Sequence, residues 1–149
     1  MVTGMAVKTL SAVEIDSWSS NQHEFHGVVE LKRLFGYSRQ YFNPKCVFFD
    51  DSGVKTGFTR LTWYDARENH PTRSEYRLYY DSSFFSNLAE PGDTMILTVD
   101  DNMQVCIFVV ARGTQVANCL VNALSNSIGN KYQIIENVST INTVLGVLR

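Results

Sequence analysis

Two apolar runs late in the chain, "TMILTV" (94–99) and "MQVCIFVVA" (103–111), restrict its folding more than any other feature. Both are rich in β-branched residues, and Asp100, Asp101 and Asn102 lie at their junction. Such a pair, joined by so short a polar link, predicts a β-hairpin. The rest of the fold has to be compatible with a sheet at that point.

Other segments extend the same pattern. "MAVKTLSA" (5–12) alternates weakly and reads as a first strand, and "KCVFFDD" (45–51) reads as a short one. "SGVKTG" (52–57) reads as a turn. "FTRLTWYDAR" (58–67) is aromatic and β-branched, "ENHP" (68–71) interrupts it, and "RSEYRLYY" (73–80) resumes it. These two runs predict a hairpin with a long, charged tip. Residues 12–27 are polar and read as a long loop, and residues 37–44 as a connector ending at Pro44. In 28–36, Val28, Leu31, Leu34 and Phe35 recur at helical spacing, and Gly36 stands where a helix stops. Residues 82–93 predict a short helical turn and then a Pro-Gly turn. In 114–124, Val116, Cys119, Leu120 and Ala123 share a helical face behind Thr114, a suitable N-cap. The tail from 125 shows no clear pattern. About seven strands and two or three short helices predict one mixed domain over 1–149, mainly β, as a barrel or half-open barrel.

The bulk properties narrow the class. With 149 residues, 44% apolar and 19% charged, the chain can bury a core and is not a disordered segment. No apolar run is long enough for a membrane span, and the N-terminus lacks a signal-peptide pattern, so an intracellular, cytoplasmic location is expected. The odd set Cys46, Cys106 and Cys119 has no Cys-x-x-Cys spacing, which argues against a disulfide framework and a zinc site. Cys106 and Cys119 read as buried core thiols.

Catalytic patterns are weak. "HEFH" places His23 and His26 three apart in a loop context, not four apart on a helix as zincin-type sites need. Glu30-Leu31-Lys32 resembles a nuclease Glu-x-Lys, but it lies in a helical pattern with no strand-borne Asp before it. There is no Gly-x-Ser-x-Gly elbow, and "SGVKTG" lacks Walker spacing. No metal site, cofactor or small-molecule substrate is expected.

Charge is distributed unevenly. The net charge is −2, yet residues 1–80 hold ten basic against nine acidic side chains, and residues 81–149 hold three against six. This permits a polyanion partner on one face without demanding it. Arg73, Glu75 and Arg77 stand at spacing two, which in an extended chain places them on one face. Two readings are open. One is an exposed salt-bridge ladder of small energetic weight. The other is base readout, because an arginine fork matches guanine O6 and N7 and a carboxylate accepts from cytosine N4.

The run "TRLTWYDARENHPTRSEYR" (59–77) resembles the N-terminal effector domain of EcoRII-type restriction endonucleases, at Arg60, Tyr64, Arg67, Thr72, Arg73, Glu75 and Arg77. "KTLSAVEIDSWSSNQHEFHGV" (8–28) is similar to that family's N-terminal region at Leu10, Ser11, Ala12 and His23. The resemblance covers most of 8–112. It implies a DNA-binding pseudobarrel, the fold shared with plant B-three domains, with two arms that enter the major groove. The N-arm would lie near 8–27 and the C-arm near 66–77. Base-reading residues would be Arg73, Glu75, Arg77 and His23, with Asn21, Gln22 and Glu24 as neighbours. Backbone contacts would come from Lys8, Thr9, Lys55, Arg60, Arg67 and Thr72. Trp63 and Tyr64 are expected to pack in the barrel. The chain departs from the pattern at Thr9 and in a longer, more acidic 14–22 loop.

The implied function is sequence-specific recognition of double-stranded DNA at a short G·C-containing site, with a CCWGG-like site among those the resemblance admits. The domain would be the target-recognition or effector part of a type II restriction endonuclease in a prokaryotic cytoplasm. Its partner would be an attached or separate nuclease domain, absent from these residues, which alone would need Mg²⁺. A free-standing DNA-binding regulator is the alternative.

Overall fold

The computed structural model describes residues 1–15, 23–81, 87–124 and 128–149. The expected 94–111 hairpin forms as β8 (Thr94–Asp100) and β9 (Val105–Val110). It lies in the middle of a six-stranded sheet. β1 (Val2–Thr9) pairs with β8, and β10 (Gln133–Ile135) pairs with β1. β4 (Lys45–Asp50) runs parallel to β9, and β5 (Gly53–Phe58) closes the other edge. The order is β10-β1-β8-β9-β4-β5, and every pairing but β4 with β9 is antiparallel.

A second, antiparallel sheet has the order β2-β7-β6-β3. Its strands are β2 (Glu24–Phe25), β3 (Gln40–Phe42), β6 (Leu61–Asp65) and β7 (Tyr76–Tyr80). Helices α3 (Gln115–Ala123) and α4 (Val138–Val147) cover the far side of the larger sheet. The molecule is mainly β. Ten strands form among the described residues, against about seven expected, and neither sheet closes into a barrel.

The side-chain period of two explains the layering. Met5, Val7, Ile96 and Val110 turn toward α3 and α4, meeting Leu120, Ile141 and Val144. Ala6, Leu97, Ile107 and Val109 turn the other way and meet Phe25, Leu61, Trp63 and Leu78 of the smaller sheet. Strand β8 and residues 4–8 of β1 are buried on both faces, and β8 is accordingly a nearly continuous apolar run.

The helix signals hold where capping chemistry is present. Thr114 Oγ1 accepts from the Ala117 amide at 3.2 Å, and α3 starts beside it. The 28–36 pattern forms a 3₁₀ turn (Val29–Leu31) and α2 (Lys32–Phe35), stopped at Gly36 with φ +76°. Three segments differ from expectation. "SGVKTG" forms most of β5, an exposed edge strand with no apolar period to reveal it. The 12–27 loop holds α1 (Ala12–Ile15) and β2. The tail forms β10 and α4. The turn expected from residue 82 onward lies partly outside the described residues.

Candidate nucleic-acid interface

The run from residue 58 to residue 80 does form a hairpin with a charged tip, but the strands are shorter than the sequence suggests. β6 ends at Asp65 and β7 begins at Tyr76. Arg77 alone of the Arg73, Glu75, Arg77 series therefore sits in a strand, although the Glu75 and Arg77 side chains still meet. The reason is local hydrogen bonding. Asp65 Oδ1 accepts from the Arg67 amide at 2.9 Å and the Glu75 amide at 2.7 Å, which closes the connector at its base. Within it, His70 Nδ1 accepts from the Thr72 and Arg73 amides at 3.2 and 3.0 Å. Hydrogen bonds to the Glu75 and Arg67 amides hold the Asp65 carboxyl below its ordinary range.

The side chains regroup around Glu75. Its Oε2 lies 3.3 Å from Arg67 Nε and 3.3 Å from the Arg77 guanidinium. Arg77 Nε also faces Glu24 Oε1 at 3.7 Å across the β2–β7 pair. A hydrogen bond to Tyr79, with Glu24 and Glu75 behind it, holds the Arg77 guanidinium above its ordinary value. Arg73 and Thr72 are exposed at the tip. Arg73 makes no ion pair among the described residues, so its guanidinium fork faces solvent.

The other expected contacts are dispersed. His23, with φ +47°, pairs through its carbonyl with the Tyr80 amide and stacks on the Tyr80 ring at 5.2 Å. That is the opposite end of β7 from the tip. Arg60 is at that same end, 3.8 Å from Asp81. Lys55 is on β5 in the other sheet, 3.6 Å from Asp50. Thr9 ends β1, and its amide donates to the Gly129 carbonyl. Asn21 and Gln22 lie outside the described residues.

Lys8 requires a correction. It is 1% exposed, its Nζ pairs with buried Glu14, and it donates to the His26 carbonyl at 2.9 Å. Glu14 also accepts from the Ser11 and His26 amides. Position 8 turns inward with Ala6, so parity aims this side chain between the sheets, away from any phosphate. Burial holds the Lys8 ammonium below its ordinary range, against the pull of Glu14.

Trp63 and Tyr64 occupy opposite faces. Trp63 is buried, as expected, with Nε1 donating to the Gly36 carbonyl at 3.0 Å. Tyr64 points outward instead of packing in the core, as consecutive strand residues must alternate. It stacks on Tyr79 at 5.7 Å, and the Arg39 guanidinium lies 4.7 Å from its ring centroid. Burial and the Tyr79 hydrogen bond push the Tyr64 hydroxyl up to about 12. The outer face of the smaller sheet thus carries Arg77, Tyr64 and Arg39 in one row and Glu24, Tyr79, Thr62 and Tyr41 in the next. Tyr41 and Arg39 went unremarked in the sequence. Their signal was the alternation of Arg39, Tyr41 and Asn43 with inward Gln40 and Phe42.

Among the described residues, no group of three or more His, Cys, Asp or Glu is placed to hold a metal ion. No helix of the described residues is long and apolar enough to cross a membrane. No protein-family model matches the chain, and no curated protein matches it.

Proposed function

We propose that this chain recognises double-stranded DNA in a sequence-specific manner through the β6–β7 connector. The domain serves as the target-recognition or effector part of a type II restriction endonuclease and has the half-open, pseudobarrel-like character of that class. The observation that carries the reading is the division of labour in the arginine cluster. Glu75 fixes Arg67 and Arg77 at the root of the connector, and Arg73 stands unpaired at its tip. A guanidinium held by a carboxylate is pre-oriented, and an unpaired one on a protruding turn can reach a guanine edge. Arg67 and Thr72 suit phosphate contacts because they are exposed and polar. Glu75 suits a cytosine amino group better than the backbone, where its charge would repel phosphate.

The test begins with selection of bound duplexes from a random pool, followed by mobility-shift titration of the best site. Arg73→Ala is expected to weaken binding there by about 1–3 kcal/mol and to change little on random DNA. Equal losses on all sequences would reduce Arg73 to a phosphate contact. A pool with no enriched sequence would remove the proposal altogether.

A further inference from the structure

The connector occupies one end of the smaller sheet. At the other end, a cleft of about 310 Å³ opens between β3 and β7, lined in part by Tyr41, Asn43, Arg60, Thr62, Tyr79 and Asp81. We propose that this cleft binds one unpaired DNA base, sandwiched between Tyr41 and Tyr79, with Arg60 on its phosphate. The choice of DNA over RNA rests on the duplex-binding reading. The site itself uses none of Arg67, Arg73 and Glu75.

Register supplies the geometry. Tyr79, Thr62 and Tyr41 face one another across three adjacent strands, so all three side chains project from the same surface. Tyr79 and Tyr41 are two strands apart, roughly 9.5 Å at ordinary sheet spacing. A flat base in contact with a ring on each side needs about 7–8 Å. Thr62, short and central, leaves the gap between the two taller aromatic side chains open. The stacked pair with Tyr64 braces Tyr79, whereas Tyr41 is 68% exposed. The volume is at the small end of the roughly 300–1,000 Å³ range of ligand pockets, which suits one nucleotide.

The polar rim has the matching chemistry. Asn43 offers a donor and an acceptor to a base edge, and Asp81 accepts from an exocyclic amine. The Arg60 side chain is 78% exposed and only loosely paired with Asp81 at 3.8 Å. Surface pairs of that kind contribute little, so a phosphate can take the carboxylate's place. Arg39, Arg60 and Arg77 are matched on this face by Glu24, Glu68, Glu75 and Asp81. A surface with that balance does not attract polyanions as such. Stacking has to dominate, and the salt dependence has to be shallow.

The experiment is a fluorescence-anisotropy titration of a labelled short oligothymidylate, for the intact chain and its variants. Tyr41→Ala should weaken binding about 5-fold to 150-fold, the range for loss of one stacked base, and Tyr41→Phe should restore it. Thr62→Phe should fill the slot and weaken binding in the same range. The slope of log affinity against log salt should lie near −0.7, one phosphate on a single strand. Binding by Tyr41→Ala equal to that of the parent chain would overturn the proposal. So would a slope of several phosphates, which marks general polyanion binding, or a preference for oligouridylate, which marks RNA. Arg73→Ala should leave the oligothymidylate affinity unchanged, and Tyr41→Ala should leave duplex affinity unchanged. The two sites can therefore fail independently.

Discussion

Lys8 illustrates how a single side chain can look like one thing in sequence and be another in the fold. The family resemblance implies a phosphate contact for Lys8, because the family has a basic residue at the start of the N-arm. Its true partner, Glu14, lies six residues on, and only the turn of the chain through Ser11 brings the two together between the sheets. Parity along β1 held the clue, since Ala6 and Lys8 share a face, but nothing in the sequence said that this face was interior. The pair has a consequence for stability. Removing one member of a buried pair leaves the other charge uncompensated, at a cost of about 3–5 kcal/mol. Lys8→Met is expected to lose that much in urea unfolding, while the salt slope of the proposed duplex binding by the folded fraction stays the same. A shallower salt slope at unchanged stability would return Lys8 to the phosphate contacts. Arg73, by contrast, was legible as a candidate because an exposed side chain in a charged turn keeps the chemistry its sequence advertises.

At the scale of elements, legibility followed burial. β8, β9 and the α3 cap were readable, since apolar period and cap residue act within one short segment. β5 was not, because an edge strand with no buried side chain carries no period, and its strand identity comes from pairing with β4. The β6–β7 connector falls between these cases: its charge was visible, its closure was not. Asp65 ties both of its ends through the Arg67 and Glu75 amides. The carboxyl is held below its ordinary value, so its contribution is fully present above the unfolded value near pH 4 and is lost as pH falls through the folded one. Protection of the Arg67 and Glu75 amides, taken against the intrinsic exchange rate at each pH, should therefore fall on acidification below about pH 4, ahead of the β8–β9 amides. Asp65→Asn should remove that pH dependence. Unchanged protection of the two amides through the acid range would show that the connector does not depend on this carboxylate. A second element-level test concerns Gly27, between β2 and the 3₁₀ turn. Its φ is +68°, and a Cβ there would lie 2.7 Å from Lys131 Cα. Gly27→Ala should destabilise by at least about 1–3 kcal/mol, read as a lower thermal midpoint.

For the molecule as a whole, the sequence announced a β protein but not its two sheets, because the division depends on which strands pair across long separations. Strand β1 joins β8 and β10, and β4 joins β9, over gaps that no local pattern spans. The three cysteines sample the resulting layers. Cys46 is buried in β4 between the sheets, where burial above all pushes its thiol up to about 12. Cys106 is partly covered, and its thiol is also raised by burial. Cys119 is exposed on α3, which corrects the expectation that it lies in the core, and Cys106 is only half buried. The helical face containing Cys119 was read one step too wide, since Ala117 and Leu120 supply the buried stripe. The thiolate is the reactive form, so exposure orders the three, and burial slows Cys46 and Cys106 further by raising their thiols. In native buffer near pH 8, a thiol reagent should modify Cys119 first and Cys106 more slowly. Cys46 should react only when the core opens. Its labelling rate should then rise with urea as steeply as global unfolding measured by tryptophan fluorescence in a Trp18→Phe background, because Trp63 is then the sole tryptophan and is buried in the same inter-sheet core. Rapid native labelling of Cys46, with Trp63 fluorescence unchanged, would mean that the two sheets do not enclose a common core.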